Sequence, residues 1–422
     1  MAGACASIAA CAPPPTFTTP PARPAPSIEP SASERRARER EASPQERLVL
    51  RNLMRATERI RGLHFRKPID FRIENRAAMR QYVHRALVEG GIELTRRRYV
   101  ALGLVPAGLD IARVVEELLE QELVGYYDTS RKRLVLRDDL AATLIESSAR
   151  PQRGAVEETL VHELVHALQD QNLDLAQRLQ SKRSTDQENA YAAVVEGDAQ
   201  LVAYAFAGAA RGLHEDPDPT PLIALGRLPL DKRAEGLSAA MQAAPPFVRI
   251  PLLFRYRNGL AYVAALHLKG GFGSVDRAHR SPPATSAEIL ERSGDARPHV
   301  VERRSPAHSC VAASGFRHTD TDSLGALEVA VAAELAPHDA ARVLRDDHYT
   351  VYASGPQIAA IWTLRTADST SAARLSGGLE RSISVPSKGV RRIATQDAEI
   401  LVVRGLSAEC TALLTDSWFR SP

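Results

Sequence analysis

Three shortages narrow the reading of this chain. No run of about 18 apolar residues occurs, so no segment can cross a bilayer as a helix. Charge of one sign is not in excess: 54 Lys and Arg stand against 51 Asp and Glu, a net +3. That field is too weak to make nucleic acid or an acidic polymer the main partner. Only four cysteines occur in 422 residues, and none stands in a Cys-x-x-Cys spacing, which leaves redox or zinc-finger chemistry little support. What is present is ordinary for a folded protein. Hydrophobic residues make up 44% and charged residues 25%, at a length suited to two or three domains. Wholesale disorder is excluded, and specificity has to come from a local site.

The first dozen residues, Met1 to Ala12, are small and apolar and run into eight prolines between positions 12 and 30. The start resembles the tail of a secretion signal without its basic segment. Ile8-Ala9-Ala10-Cys11 resembles a bacterial lipobox, which would make Cys11 a lipid anchor and place the protein outside the cytoplasm, in the bacterial envelope or secreted. The plainer alternative is a disordered Ala-rich terminus. The proline stretch reads as an extended, semi-rigid tether. Loss of Cys5 with a signal would leave Cys310 and Cys410 as a pair, either bonded in an oxidising compartment or present as two buried thiols.

Periodicity divides the rest into a helical lead-in over 31–108, a mainly helical domain with a small hairpin or sheet over 109–298, and a smaller α+β domain over 299–422. The fold class is therefore α+β. Helices are expected over 31–63, 75–102, 109–119, 153–180, 187–209, 255–269, 324–344 and 367–380, with Glu34 to Glu41 as a solvated helix face. Strand-like pieces lie at 349–353, 358–363 and 400–403, and Glu122 to Asp138 reads as a hairpin about the turn Asp128-Thr129-Ser130-Arg131. Gly270-Gly271 is a helix stop, and Thr285 to Glu288 has the form of a capping box.

The informative residues are His162-Glu163-Leu164-Val165-His166, inside the long amphipathic helix. Four positions advance a helix by about 400°, so both imidazoles project from one face and can share one zinc ion. Glu163 lies about 100° round from His162, in a position to act as general base rather than as a ligand. A catalytic site of this kind has three protein ligands and an open position. The polar break at Ser181 to Asp186 returns the chain, and Glu196 comes level with the histidines whereas Glu188 stays near the turn, so Glu196 is the preferred third ligand. Gly197 beside it would let the two helices approach closely. Asp198, about 200° round from Glu196, is expected in a salt bridge or an outer contact, and Asp170 could orient a ligand or lie solvated. Tyr126, Tyr127, Tyr191 and Tyr256 are possible phenolic donors, but each is more often simply a packed aromatic residue.

With a glutamate on a later helix, this motif resembles the gluzincin group of zinc metallopeptidases, the broad relatives of thermolysin. The segments Leu102 to Pro106, Val124 to Asp128, His166 to Gln171 and Glu196 to Ala199 together are similar to a family of uncharacterised bacterial proteins predicted to be such peptidases. Weaker likeness extends to Gly270-Gly271-Phe272 and Pro282 to Ser286, and so covers most of residues 100 to 290. The resemblance implies a zincin-like catalytic domain acting on a peptide or protein substrate, with the Tyr126-Tyr127 strand pairing with it. The interval of 30 positions from His166 to Glu196 is longer than in thermolysin. Zinc-assisted peptide hydrolysis with Glu163 as base is the functional expectation. Its rivals are a non-catalytic envelope lipoprotein with structural or no zinc, acting as a binding module, and a hydrolase of non-peptide amides.

Overall fold

Local capping starts the described chain. In this computed structural model, residues 39–420 are described except 146–150, 182, 213–217, 231–236 and 292–308. The signal-like start, Cys11, the lipobox, the proline tether and the 298/299 boundary lie outside the described residues. Strand β1 (Glu39–Glu41) precedes helix α1 (Pro44–Arg61). Ser43 Oγ accepts from Glu46 N at 3.2 Å while Glu46 Oε2 accepts from Ser43 N at 2.6 Å, a reciprocal cap with Pro44 in the first turn. Gly62, at φ 74°, ends the helix.

Residues 39–41 were expected on a helix face and instead form a strand. They pair antiparallel with β2 (Asp70–Glu74), and Glu39 meets Arg72 and Arg133 across the sheet, so strand pairing overrides helical spacing. Helices α2 (Arg76–Glu89) and α3 (Ile92–Leu102) replace the single helix expected over 75–102, because Gly91 takes φ 72° between them. Helix α4 (Ile111–Glu122) leads into the hairpin β3 (Gly125–Asp128) and β4 (Arg133–Arg137). Its turn is closed by Asp128 Oδ1, which accepts from Ser130 N at 2.9 Å and Arg131 N at 3.0 Å.

The first sheet has the order β1-β2-β4-β3, with β2 parallel to β4 and the other pairs antiparallel. Residues 39–74 thus supply half of it, so the expected lead-in is built into the unit that carries the hairpin. Strand β3 is an edge strand, and helix α5 (Pro151–Leu173) packs on it. The expected helix to residue 180 breaks at Asp174, φ 57°, and a separate short helix Leu175–Leu179 follows. Helix α6 (Thr185–Ala209), capped by Ser184 and Gln187, returns along α5. Leu160, Val161, Leu164 and Val165 pack against Ala199, Val202, Ala203 and Ala205, and all eight are buried.

Helix α7 (Pro246–Leu253) runs through a π-helical turn, Phe254–Asn258, into α8 (Gly259–Arg280). The expected stop at Gly270-Gly271 is a kink, with helical geometry lost at both glycines and regained beyond them. The smaller α+β part is built on an antiparallel sheet, β5 (Arg317–Asp322), β6 (Leu344–Ser354), β7 (Gln357–Thr366), β8 (Val390–Gln396) and β9 (Glu399–Leu406), in the order β5-β6-β7-β9-β8. The helix expected over 324–344 divides into α9 (Gly325–Ala332) and a short helix Pro337–Val343, since Glu334 takes φ 54° and Pro337 starts the next turn. Helices α10 (Ser369–Ser382) and α11 (Ala408–Arg420) complete the described chain. Cys310 and Cys410 form a disulfide, tying the short helix Ser309–Ala313 to α11.

The two parts share one core: Tyr99, Leu102 and Val194 belong to the same buried cluster as Leu327, Trp362 and Leu375. Arg98 of α3 reaches Asp322 at 2.9 Å, and Asn189 of α6 reaches Glu328 at 3.0 Å. No helix among the described residues is long and apolar enough to cross a membrane.

Candidate metal centre

His162 and His166 stand one turn apart on α5, with ring planes at 83°. Their Nε2 atoms are 3.1 Å apart, and Glu196 Oε2 from α6 lies 3.1 Å from His162 Nε2 and 3.7 Å from His166 Nε2. Four donors placed tetrahedrally at 2.0–2.1 Å from zinc are separated by about 3.3 Å, so the observed triangle has the size a single ion requires. Among the described residues this is the one group of three or more His, Cys, Asp or Glu placed to hold a metal, and all three are buried. Among the described residues Glu196 Oε1 is buried without a hydrogen-bond partner, as expected of a donor arranged for something besides these side chains; His162 Nδ1, on the ring edge away from the triangle, has none either.

Electrostatics follow the same geometry. Burial works against ionisation of Glu196, but the two imidazoles outweigh it and hold the carboxyl down at about 2. Burial likewise opposes a charge on His166, yet Glu196 raises it to about 9. Burial, with the neighbouring His166, pushes His162 down.

A second layer orients the ligands. His166 Nδ1 donates to Gln169 Oε1 at 2.9 Å, which leaves Nε2 facing Glu196. Gln169 Nε2 donates to Val195 O at 3.1 Å and to Asp198 Oδ2 at 3.0 Å. Asp198 also takes His279 Nε2 at 3.0 Å, and its Oδ1 lies 2.8 Å from Arg61 Nε, an ion pair without hydrogen-bond alignment. Arg61 in turn reaches Asp276 at 2.6 Å and stacks on Phe272. Burial alone would raise the Asp198 carboxyl, but Arg61, with the His279 and Gln169 hydrogen bonds, holds it well below the usual carboxylate range.

Glu163 is wholly buried beside the group, and its Oε2 accepts from Tyr127 N of the edge strand at 2.8 Å. That hydrogen bond ties one carboxylate oxygen to β3, and the carboxylate is close enough to His166 to favour the charge on that imidazole. No family model matches the chain, and no curated protein or solved structure matches it either.

The sequence therefore places His162, His166 and Glu196 together and keeps Glu188 apart; Asp198 lies behind the centre in a salt bridge. The expectations for Asp170 and Gly197 are corrected, and Tyr126 and Tyr191 take the packed-ring reading. Asp170 orients no ligand: it accepts from Tyr127 Oη at 2.9 Å, Lys132 Nζ at 2.7 Å and Ala176 N at 3.2 Å, and so anchors the hairpin. Gly197 does not serve the approach of α5. A Cβ there would overlap the Gly259 carbonyl, and one on Gly259 would overlap that of Ala193, so the close contact is between α6 and α8. Tyr126 donates to Glu74 at 3.0 Å and stacks on Tyr82, and Tyr191 lies edge-on to His279. Tyr256, on the π turn, has its ring 6.2 Å from that of His162 between centroids. Gln169, His279 and Arg61 were missed. Gln169 was detectable, standing three residues after His166 on the same face. The other two come from helices far away in sequence and carry no local signal.

Proposed function

We propose that this chain is a zinc-dependent hydrolase of peptide bonds, of the gluzincin type. The observation that carries the reading is the buried triangle of His162, His166 and Glu196 with Glu163 adjacent to it. Two imidazoles and one carboxylate are a donor set that suits zinc. Zinc held there would supply Lewis acidity toward a carbonyl and lower the pKa of water toward about 7.

The chain's own residues would do the rest. Glu163 would take a proton from the attacking water and return it to the leaving amine, with Tyr127 N–H holding its other oxygen in place. Gln169 and Asp198 would fix the tautomer and tilt of His166. Edge strand β3 has one neighbour in the sheet, but its four residues are buried and Tyr127 N is engaged by Glu163, so an extended peptide could add there only by displacing what covers it. The Cys310–Cys410 disulfide supports a location outside the reducing cytoplasm.

A second reading has its own support. His162 is 4% exposed and Glu196 1%, so the same three residues could hold a structural ion in a non-catalytic binding protein. Metal analysis of the purified protein, with hydrolysis of a peptide library by the unaltered protein and by Glu163→Gln, separates the two. One zinc per chain, cleavage by the unaltered protein and a loss of about 10²-fold or more in the variant with zinc retained are expected. Equal rates in the two proteins would refute the role of Glu163, and zinc without cleavage favours the structural reading.

A further inference from the structure

A cleft of roughly 870 Å³, counted out to its solvent mouth, lies between α3, α4, α6 and α7, away from the metal centre. Its walls are apolar, with Ile92, Ile111, Val115 and Phe247 among them. Its polar residues are of a different kind. Glu328 accepts from Asn189 Nδ2 at 3.0 Å and from Tyr99 Oη at 2.9 Å, and Arg255 Nη2 donates to Asn189 Oδ1 at 3.0 Å. These groups engage one another, and among the described residues Arg255 Nε stays buried without a hydrogen-bond partner. Glu188 does not join them, and no hydrogen bond or ion pair is found for its carboxylate among the described residues.

We propose that this cleft binds the free amino terminus of a peptide whose first residue is apolar, with Glu188 receiving the ammonium group. The charges on the lining favour a cation, since Glu188 and Glu328 stand against Arg255 there, and the nearby Arg98 is already paired with Asp320 and Asp322. An anion would meet two carboxylates, and a neutral head would leave Glu188 without a partner. Burial and the neighbouring Asp322 push the Glu188 carboxyl up to about 7 against the pull of Arg98 and Arg255, and an arriving positive charge would favour its ionised form. An ammonium group brings three donors, and the walls take the side chain of the first residue.

Position selects a peptide over a free amine. Glu188 and Glu196 are eight residues apart on α6, about 12 Å along the helix axis. An extended peptide covers that length in three to four residues at about 3.3 Å each. The π turn links the two places, with Arg255 lining the cleft and Tyr256 against His162. This assignment rests on the peptidase reading and deepens it to cleavage a few residues in from a free amino terminus.

The test is calorimetric titration of Phe-Ala-Ala-Ala-amide, with its amino terminus free or acetylated, into the full chain carrying Glu163→Gln, both zinc-loaded and stripped. The free amine should bind about tenfold or more tightly than the acetylated form, the usual scale of a charge-assisted hydrogen bond. Adding Glu188→Gln should abolish the difference, and Thr95→Trp on the cleft lining should weaken the free peptide. Equal binding of both forms, no binding of either, or discrimination that survives Glu188→Gln overturns the proposal. Hydrolysis by the unaltered protein, run in parallel, keeps the two readings separable. Glu188-dependent binding without cleavage supports the cleft while sinking the peptidase, and cleavage indifferent to acetylation does the reverse.

Discussion

Replacing Arg61 by leucine should damage the protein far more than a change at a helix end normally does. Arg61 is 1% exposed, and its guanidinium lies between Asp198 and Asp276, whose side chains are 0% and 18% exposed. The leucine variant would leave Asp198 buried with only the His279 and Gln169 donors. Removing one partner of a buried ion pair costs about 3–5 kcal/mol, and those two remaining hydrogen bonds place the expectation near the lower limit. A loss of ~3 kcal/mol is a large part of the total stability of an ordinary domain. Urea unfolding of Arg61→Leu, Asp198→Asn and the double variant forms a cycle in which the double variant should recover much of the loss, because the stranded charge is gone. Since Asp198 reaches His166 through Gln169, zinc affinity should also fall, by about tenfold or more. The Asp198 carboxyl is held below its ordinary range, so the stability it contributes is full above about pH 4 and is lost as pH falls below that. A loss below about 1 kcal/mol in Arg61→Leu, with unchanged zinc affinity, would refute the reasoning.

Zinc affinity itself should climb by about tenfold per pH unit between pH 6 and 8, because His166, raised to about 9 by Glu196, must release a proton to bind. Chelator competition at several pH values checks this, and a flat profile contradicts it. Asp186 is buried beneath Ser286 N, 2.8 Å away, and burial raises its carboxyl to about 8. The folded state therefore retains a proton that the unfolded chain gives up near pH 4, and stability falls as pH rises from there to about 8. Asp186→Asn should shrink the drop in urea midpoint between pH 5 and 8, and an equal drop in both proteins would count against it. Gly197→Ala should lower stability by about 2 kcal/mol or more through forced separation of α6 and α8, seen as a lower melting temperature. An unchanged melting temperature would show that the contact relaxes freely.

The helices of the candidate metal centre were legible because periodicity, spacing and caps act over a few residues. His162 and His166 share a face whatever surrounds them, and Ser184 with Gln187 caps α6 by local hydrogen bonds. Boundaries were read less well where one backbone dihedral decides: Gly91, Asp174 and Glu334 each take positive φ and divide or end an expected helix. Strands suffered most. Strands β1 and β2 exist only because a sheet partner is present, and Glu39–Glu41 taken alone looks like a helix surface.

By itself the amino-acid sequence determined the α+β class, the helix that carries both histidines, and the carboxylate that closes the donor triangle, because each depends on local order and angular spacing. Only the tertiary structure decided that Arg61 and His279 stand behind that triangle, that Gly197 meets Gly259, and that Glu188 lines a separate cleft. Those neighbours are separated by 62 to 137 positions or belong to different helices, and no pattern within one segment encodes which distant side chain will be packed against it.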